Sequence, residues 1–386
     1  MNIPLKWQKI GLSVLCIVLA LILAVLVCGT TYVHYLLGKL NYVDPSLDDT
    51  LSPEDLATAT ESLDPDYTGP TVDPTDITID ILIPTTDPTV PSTDTTPSTG
   101  TTPSTGTPPT SENTTQGTQP EKEDKIINFL LVGQDRRPGE PRQRSDAMIL
   151  CTFNTAKNTI TLTSFLRDSY VYIPGYGNNK LNFAYQLGGF SKLNETLAVN
   201  FGVHVDANFE VDFNRFSDVI DLLGGVDITL TEKEANYLNT DKVFANFQDN
   251  WNLQPGVNHL NGVQALCYSR IRYVPTANGT HYDFGRTERQ RAVLSALMNT
   301  YKNQSLPSML NIAEGIMPML TTDLTGHEIL NYVGELFPML SSATISTQSI
   351  PMSGTYTDLY VSKVGSVLVL DLPTIRGQLS ELFKTE

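Results

Sequence analysis

Five of the chain's twelve arginines fall between Tyr268 and Arg291, in the stretch YSRIRYVPTANGTHYDFGRTERQR, which holds no lysine. A guanidinium group grips phosphate oxygens two at a time through its planar fork and keeps its charge when partly desolvated. Such a cluster therefore suits a diphosphate. The helical pattern opened by DFGRTERQR has an apolar stripe of Val293, Leu294, Leu297, Met298 and Tyr301. At roughly 100° per residue, Arg286 and Gln290 project into that stripe, while Arg289 and Arg291 flank it on either side. Upstream, SRIRY read as an extended segment sends Arg270 and Arg272 out of one face.

Two further groups precede these. NFLLVGQDRRPGEPRQRSDAMIL reads as a strand ending at Asp135, a Gly and Pro turn, and a second strand entered through Arg144, Ser145 and Asp146, with Arg144 and Asp146 on one strand face. SFLRDSYVYIPG sets Arg167 and Asp168 just beyond another strand. Strand ends are where open α/β sheets hold their ligands. Converging guanidiniums repel by roughly 3 kcal/mol per pair at about 6 Å and an effective dielectric of about 20, so the site needs an anion. Asp135 and Asp146 are hard oxygen ligands of the kind that hold magnesium together with substrate phosphate. Metal and arginines would then stabilise charge in phosphoryl transfer.

The elements that must position these groups begin at Lys125. KIINFLLVG, DAMILCTF, TITLTSFL, ANFEVDF and VDITL are short apolar runs bounded by charged or turn residues and predict strands. FSKLNETLAVNFG, NRFSDVIDLLGG and RTERQRAVLSALMNTY carry apolar residues at helical spacing, and TISTQSI and LDLPTIRGQLSELF predict a closing strand and a terminal helix. Interleaved strands and helices point to an α/β fold, a three-layer α-β-α sandwich with a central mixed sheet over residues 125–386.

The first third has another character. Residues 10–32 contain no charge and are long enough to cross a hydrocarbon core. A cleaved signal peptide fits less well, because its apolar region is shorter and ends in small residues, which Val25, Leu26 and Val27 are not. With Lys6 and Lys9 before the span and acidic residues after it, residues 1–9 face the cytoplasm and the rest lies outside. Residues 44–124 carry 17 Asp or Glu against Lys122 alone and repeat TTPSTGTTPSTG, which predicts a disordered tether within residues 33–124. As a coil its ends would sit roughly 50 Å apart, and as polyproline II it could reach about 250 Å. DITIDILIP, within it, alternates like a strand with no evident partner. Outside the span only Cys151 and Cys267 occur; an extracellular pair can form a disulfide, but both sit in apolar runs, which favours two buried free thiols.

In this order, NFLLVGQDRR, RSDAMIL, SFLRDSYVYIPGYGNNKLNFAYQLGG, VDFNRFSDVIDLLGGVDITL, HLNGVQALCYSRIR and DFGRTERQR resemble the successive motifs of the LytR-CpsA-Psr family of bacterial cell-envelope proteins, over about residues 127–300. The resemblance implies a membrane phosphotransferase that moves a glycopolymer from an undecaprenyl diphosphate carrier onto the C6 hydroxyl of N-acetylmuramic acid in peptidoglycan, in a Gram-positive type of envelope. By position, Asp135 and Asp146 correspond to the metal-associated carboxylates, for magnesium or manganese. Arg144, Arg167, Arg270, Arg272, Arg286 and Gln290 correspond to the diphosphate-binding set, and Asp146, Arg144, Arg167 and Arg286 are the catalytic candidates. Family members enclose the prenyl chain in an apolar tunnel, for which Phe183 and Phe213 are candidates beside the ordinary core. The family's usual Pro before the RD pair is Leu166 here, and the loop YVPTANGTHYDFG separates the arginine groups. Expected partners are the lipid-linked glycopolymer, peptidoglycan and the lipid bilayer. Nucleic acid is not among them, because about nine cytoplasmic residues are too few for a DNA-binding module. Competing readings are a non-catalytic polyprenyl phosphate or wall binder and a pyrophosphatase that releases the glycan phosphate to water.

Overall fold

The computed structural model describes residues 35–44, 69–82, 125–134, 142–240, 244 and 251–385. The expected span, the cytoplasmic tail and Asp135 lie outside these residues, and among the described ones no helix is long and apolar enough to cross a membrane. In chain order the elements are β1 (Asn41–Tyr42), β2 (Ile126–Gln134), β3 (Ser145–Asn154), β4 (Thr159–Phe165), β5 (Ser169–Ile173), β6 (Gly177–Lys180), α1 (Leu181–Phe201), β7 (Ala207–Asp212), α2 (Phe213–Leu222), β8 (Val226–Leu230) and α3 (Glu232–Thr240). There follow β9 (Gly256–Leu260), α4 (Gly262–Arg270), α5 (Tyr282–Lys302), α6 (Leu306–Ile316), β10 (Thr321–Thr322), α7 (Gly326–Leu340), β11 (Thr344–Ile350), β12 (Tyr356–Val361), β13 (Gly365–Leu370) and α8 (Leu372–Leu382).

The central sheet runs β1-β10-β7-β2-β3-β4-β11. It is mixed: β2 pairs antiparallel with β3 and parallel with β7, and β4 pairs antiparallel with β3 and parallel with β11. Alternation along the strands feeds two cores. Leu130, Val132, Met148 and Leu150 pack with Leu187 and Leu193 of α1 and Ile375 of α8. Ile127, Ile149, Cys151 and Leu162 pack with Leu336 and Met339 of α7. Helices thus cover both faces, and each fully buried Leu or Ile contributes roughly 1.5–3 kcal/mol. A third core joins α2, α3, α4 and α5 around the β8–β9 ribbon through Ile220, Val226, Leu238, Leu260 and Val293. Cys151 and Cys267 are free and buried, and burial pushes their thiols up to about 12 and about 11.

Three features differ from the sequence reading. The helix expected from Phe190 begins at Leu181 and breaks at Gly188–Gly189, where Gly189 takes φ +54°, a left-handed conformation open to glycine at little cost. A second sheet, β12-β13-β5-β6, flanks the first. Two stretches expected within the free tether pack on the domain instead. β1 pairs with β10, and Lys39 Nζ lies 2.8 Å from Glu314 Oε1. Val72 bridges to Val361, Ile77 and Ile79 of DITIDILIP lie against the core beside β13, and Leu82 N–H donates to Val199 O at 2.8 Å. The apolar alternation of that run is what gives it a surface to bind.

Candidate active site

Gln134 at the end of β2 pairs with Ser145 at the start of β3 and with Asp212 at the end of β7, and β4 stops at Phe165. Arg144, Asp146, Arg167 and Asp168 therefore emerge along one edge of the central sheet, and the first turns of α5 lie against it. Asp146 Oδ1 accepts from Arg167 Nη1 at 2.7 Å and lies 3.6 Å from Arg286 Nη1. Asp283, in the first turn of α5, is shared by three arginines: Arg167 Nε at 3.1 Å, Arg272 Nε at 3.2 Å and Arg286 Nη2 at 3.4 Å. Asp168 lies 3.4 Å from Arg167 Nε and 3.1 Å from Lys180 Nζ. Arg144 donates Nε to Gln186 Oε1 at 3.2 Å, with its guanidinium 4.9 Å from the centre of the Phe183 ring. That contact is a cation–π arrangement.

Among the described residues the ion pairs of the cluster join four cations (Arg167, Lys180, Arg272, Arg286) to three carboxylates (Asp146, Asp168, Asp283), with Arg144 beside it, an excess suited to an anion. The crowding of charge shifts the pKa of its members. Burial works against the charge of Arg167, but Asp283, Asp168 and Asp146 outweigh it and its pKa is raised. Burial would raise Asp283, yet Arg286, Arg167 and Arg272 hold its carboxyl below the usual range. Arg286 is pushed down to about 10 by burial, with Asp283 opposing and Arg167 and Arg272 adding to the fall. Arg286 Nε and Gln290 Oε1 are buried and find no hydrogen-bond partner among the described residues.

Gln290, one turn beyond Arg286, also lines an apolar cavity of about 420 Å3 between the sheet and α5. Its walls include Leu131, Ile149, Phe209, Val219, Leu294 and Met298. Near the cluster β2 and β3 contribute Gly133 and Ala147, a cross-strand pair in which a Cβ added to Gly133 would come within 3.2 Å of the alanine methyl, with Val211 of β7 beside Gly133. Small residues there keep the cavity's polar end open. Glu210, which also lines it, accepts from Gln134 Nε2 and from the Tyr185 hydroxyl.

Of the residues singled out from sequence, Asp146, Arg167, Arg272 and Arg286 meet in the cluster, and Gln290 lies at its junction with the cavity. Arg144 sits beside it, against α1. SRIRY is not extended: α4 continues to Arg270, which is exposed, and the chain straightens only at Ile271. Its helix start was legible in Asn261 and Gln264, which form a reciprocal capping box. Arg289, expected only to flank the apolar stripe, is fully buried, bonded to Glu234 Oε1 at 2.8 Å and to the carbonyls of Ile271 and Val274. Phe183 faces Arg144 and the α1 core rather than the cavity, and the Phe213 side chain lies outside the described residues. Asp283, Lys180, Asp168 and Gln186 were not singled out as site residues. Asp283 had a signal, an acid three residues before Arg286 and so on its helix face.

For a divalent metal, no group of three or more His, Cys, Asp or Glu is gathered among the described residues. Asp146 alone fits magnesium's usual reliance on one or two carboxylates plus substrate phosphate.

A family model described as the LytR_cpsA_psr family matches residues 95–370. The chain belongs to the LytR-CpsA-Psr family. Curated relatives include regulatory protein MsrR of Staphylococcus aureus, 29% identical over 66% of this chain and 73% of the relative. Polyisoprenyl-teichoic acid–peptidoglycan teichoic acid transferase TagU of Bacillus cereus is 32% identical over 57% of this chain and 68% of its own length. Among solved structures, TagT bound to LIIa-WTA matches 69% of this chain and 95% of its own at TM-score 0.54 and 28% identity. The LytR-CpsA-Psr protein YwtF (TagT) with bound octaprenyl pyrophosphate lipid matches 69% and 97% at TM-score 0.52 and 26% identity. This LytR-CpsA-Psr chain shares with them a mixed α/β fold built on a central mixed sheet.

Proposed function

We propose that the protein is a membrane-anchored phosphotransferase that moves an anionic glycopolymer from an undecaprenyl diphosphate carrier to peptidoglycan, outside the cytoplasmic membrane. The observation that carries this reading is the join of two unlike sites: four cations paired with three carboxylates, and Arg144 beside them, at one end of a 420 Å3 apolar cavity, with Arg286 one turn from Gln290 in its wall. A diphosphate fits the first and an isoprenoid chain the second. The names of TagU and of the lipid-bound TagT structures agree with that pairing.

In this scheme Arg167, Arg272 and Arg286 hold the diphosphate and take up charge as it develops, which in a site shielded from water is the largest catalytic contribution. The C6 hydroxyl of N-acetylmuramic acid attacks the phosphorus nearer the glycan, the bridging P–O bond breaks, and polyprenyl phosphate leaves. The hydroxyl proton passes to a carboxylate of the cluster, with Asp146 the first candidate. Magnesium or manganese held by Asp146 and Asp135 with the phosphates would supply further neutralisation of charge. Protein in detergent with a lipid-diphosphate glycan and a peptidoglycan fragment tests the reading: a phosphodiester-linked glycan is expected. Free glycan phosphate would instead mark a pyrophosphatase, and no covalent product a binder.

A further inference from the structure

A second cavity, of about 520 Å3, borders the cluster and shares Asp168 and Asp283 with it. Its walls combine aromatic and acidic side chains with aliphatic ones, Leu166, Leu359, Val367 and Leu368. Tyr356, Asp358 and Tyr360 alternate along β12, and Tyr356 stacks on Phe284 with ring centres 5.2 Å apart. Tyr282 stands at its rim, 69% exposed at φ +51°, a backbone state that costs a non-glycine residue on the order of 1–3 kcal/mol and that clusters at ligand sites. Flat rings that can face the C–H side of a pyranose, beside carboxylates that accept from its hydroxyls, have the chemistry of a sugar subsite.

Helix α5 fixes the order of the parts. Gln290 lines the apolar cavity, Arg286 lies in the cluster, and Asp283 and Tyr282 line the aromatic pocket, over about 12 Å of helix rise. Attacking and leaving oxygens lie roughly in line across a transferred phosphoryl group. If the departing polyprenyl phosphate trails into the apolar cavity, the nucleophile must arrive from the far side. We propose that the pocket between β12 and the start of α5 binds the acceptor, a sugar of the peptidoglycan glycan strand. This rests on the transferase reading above.

Tyr356→Ala and Tyr282→Ala, each checked for an unchanged melting temperature, test it with a lipid-diphosphate glycan as donor and a peptidoglycan oligosaccharide as acceptor. The expected result is a KM for acceptor raised tenfold or more, with the KM for donor unchanged. A raised donor KM with normal acceptor KM would make this a donor-sugar subsite and overturn the proposal, as would no change in either. If the native protein transfers nothing, the phosphotransferase reading falls separately. Calorimetric titration of the full chain with the same oligosaccharide still reads the pocket, and absence of Tyr356-dependent binding sinks it.

A different observation carries a second inference. Tyr35 lies three residues beyond the apolar run that ends at Tyr32, a gap that extended chain spans in about 10 Å. The segment that follows is fastened to the domain. Leu37 packs over Gly326, the first residue of α7, where an added Cβ would come within 3.0 Å of its Cδ1. Asn41 Nδ2 donates to the carbonyls of Pro318 and Leu320, and Leu320 with Ile316 lines the apolar cavity. Along α7, Leu330, Val333 and Phe337 form an exposed apolar stripe, Val333 and Phe337 more than half exposed. Leu336 and Met339 on the inner face already fill the core.

We infer that this stripe of α7 rests on the lipid bilayer, setting the Ile316–Leu320 rim of the cavity at the membrane surface so that a prenyl chain can pass directly between the two. The anchor reading of residues 10–32 is a premise. The test uses the full chain in phosphatidylcholine and phosphatidylglycerol vesicles, with Val333→Cys carrying an environment-sensitive dye and wild-type protein as the labelling blank. A blue-shifted emission quenched by nitroxide lipids is expected, against water-like emission from Thr357→Cys on β12. Water-like emission from Val333→Cys in protein that resists carbonate extraction overturns the docking. Protein that carbonate removes overturns the anchor, and the docking with it.

Discussion

Arg286 and Arg289 lie three residues apart on α5, and both are buried, yet their surroundings are opposites. Arg289 is complete: Nε meets Glu234 at 2.8 Å, and Nη1 and Nη2 donate to the carbonyls of Ile271 at 3.1 Å and Val274 at 2.9 Å. Arg286 shares Asp283 and Asp146 with competing arginines at 3.4 and 3.6 Å, and its Nε has no partner among the described residues. One guanidinium has finished its bonding inside the protein, and the other is short of an anion. The pair also divides the labour, because the two carbonyls that Arg289 holds bracket Arg272, whose own carbonyl accepts from Tyr282 N–H at 2.9 Å. Arg289 positions the loop that carries Arg272 into the cluster.

The largest effect should come from breaking the completed arginine. Arg289→Met leaves Glu234 charged and buried without its partner, and should lower stability by about 3–5 kcal/mol in urea unfolding. Adding Glu234→Leu should recover most of it, since removing both charges spares the protein their desolvation. A mild single variant with no rescue by the double would show that the pair is not what holds the loop.

Arg286→Ala should do the reverse. Loss of one preorganised donor to the developing charge lowers kcat by about a hundred- to a thousandfold. The melting temperature should hold or rise, because the variant also relieves a crowded buried charge. Normal transfer by this variant would remove the arginine cluster from the mechanism.

Ligand and pH sharpen the same contrast at smaller amplitude. Polyprenyl diphosphate at about a hundred times its Kd should stabilise the wild type by about 2.7 kcal/mol, with much of the shift absent in Arg286→Ala. The Arg286 pKa is pushed down to about 10 by burial. Only the charged form binds the diphosphate, so affinity should be flat below that pH and fall by up to about tenfold per unit above it. Binding by Arg286→Ala should lack that step.

What could be read in advance followed the length scale of the physics. The strands KIINFLLVG and TITLTSFL, and the inward phase of Arg286, depend on periodicity within one element, and the structure has them. The fate of Arg289 did not, because phase puts it only 60° from Arg286, and Glu234 on α3 and the carbonyls of the Ile271–Val274 loop are tertiary neighbours. SRIRY misled because the two-residue spacing of Arg270 and Arg272 outweighed the capping signal nine residues earlier. The tether misled for the opposite reason: composition averaged over residues 44–124 hid the few apolar side chains, Ile77 and Ile79, that find a core.

That strap supplies the smallest expected effect and the strictest test of what burial does. Arg376 Nη2 lies 2.6 Å from Asp80 Oδ2, closer than the Arg289–Glu234 contact of 2.8 Å. Distance alone would rank it the stronger. Asp80 is 60% exposed, however, whereas Arg289 and Glu234 are 0% and 2% exposed. In water the pair gains little and can be released at little cost, so Asp80→Ala should change stability by only about 0.2–1 kcal/mol, less at high salt. Arg376 keeps its bonds to the carbonyls of Asp80 and Asn200 in that variant. A loss rivalling that of Arg289→Met would mean that the strap depends on its ion pair, and not on Ile77 and Ile79 leaving water.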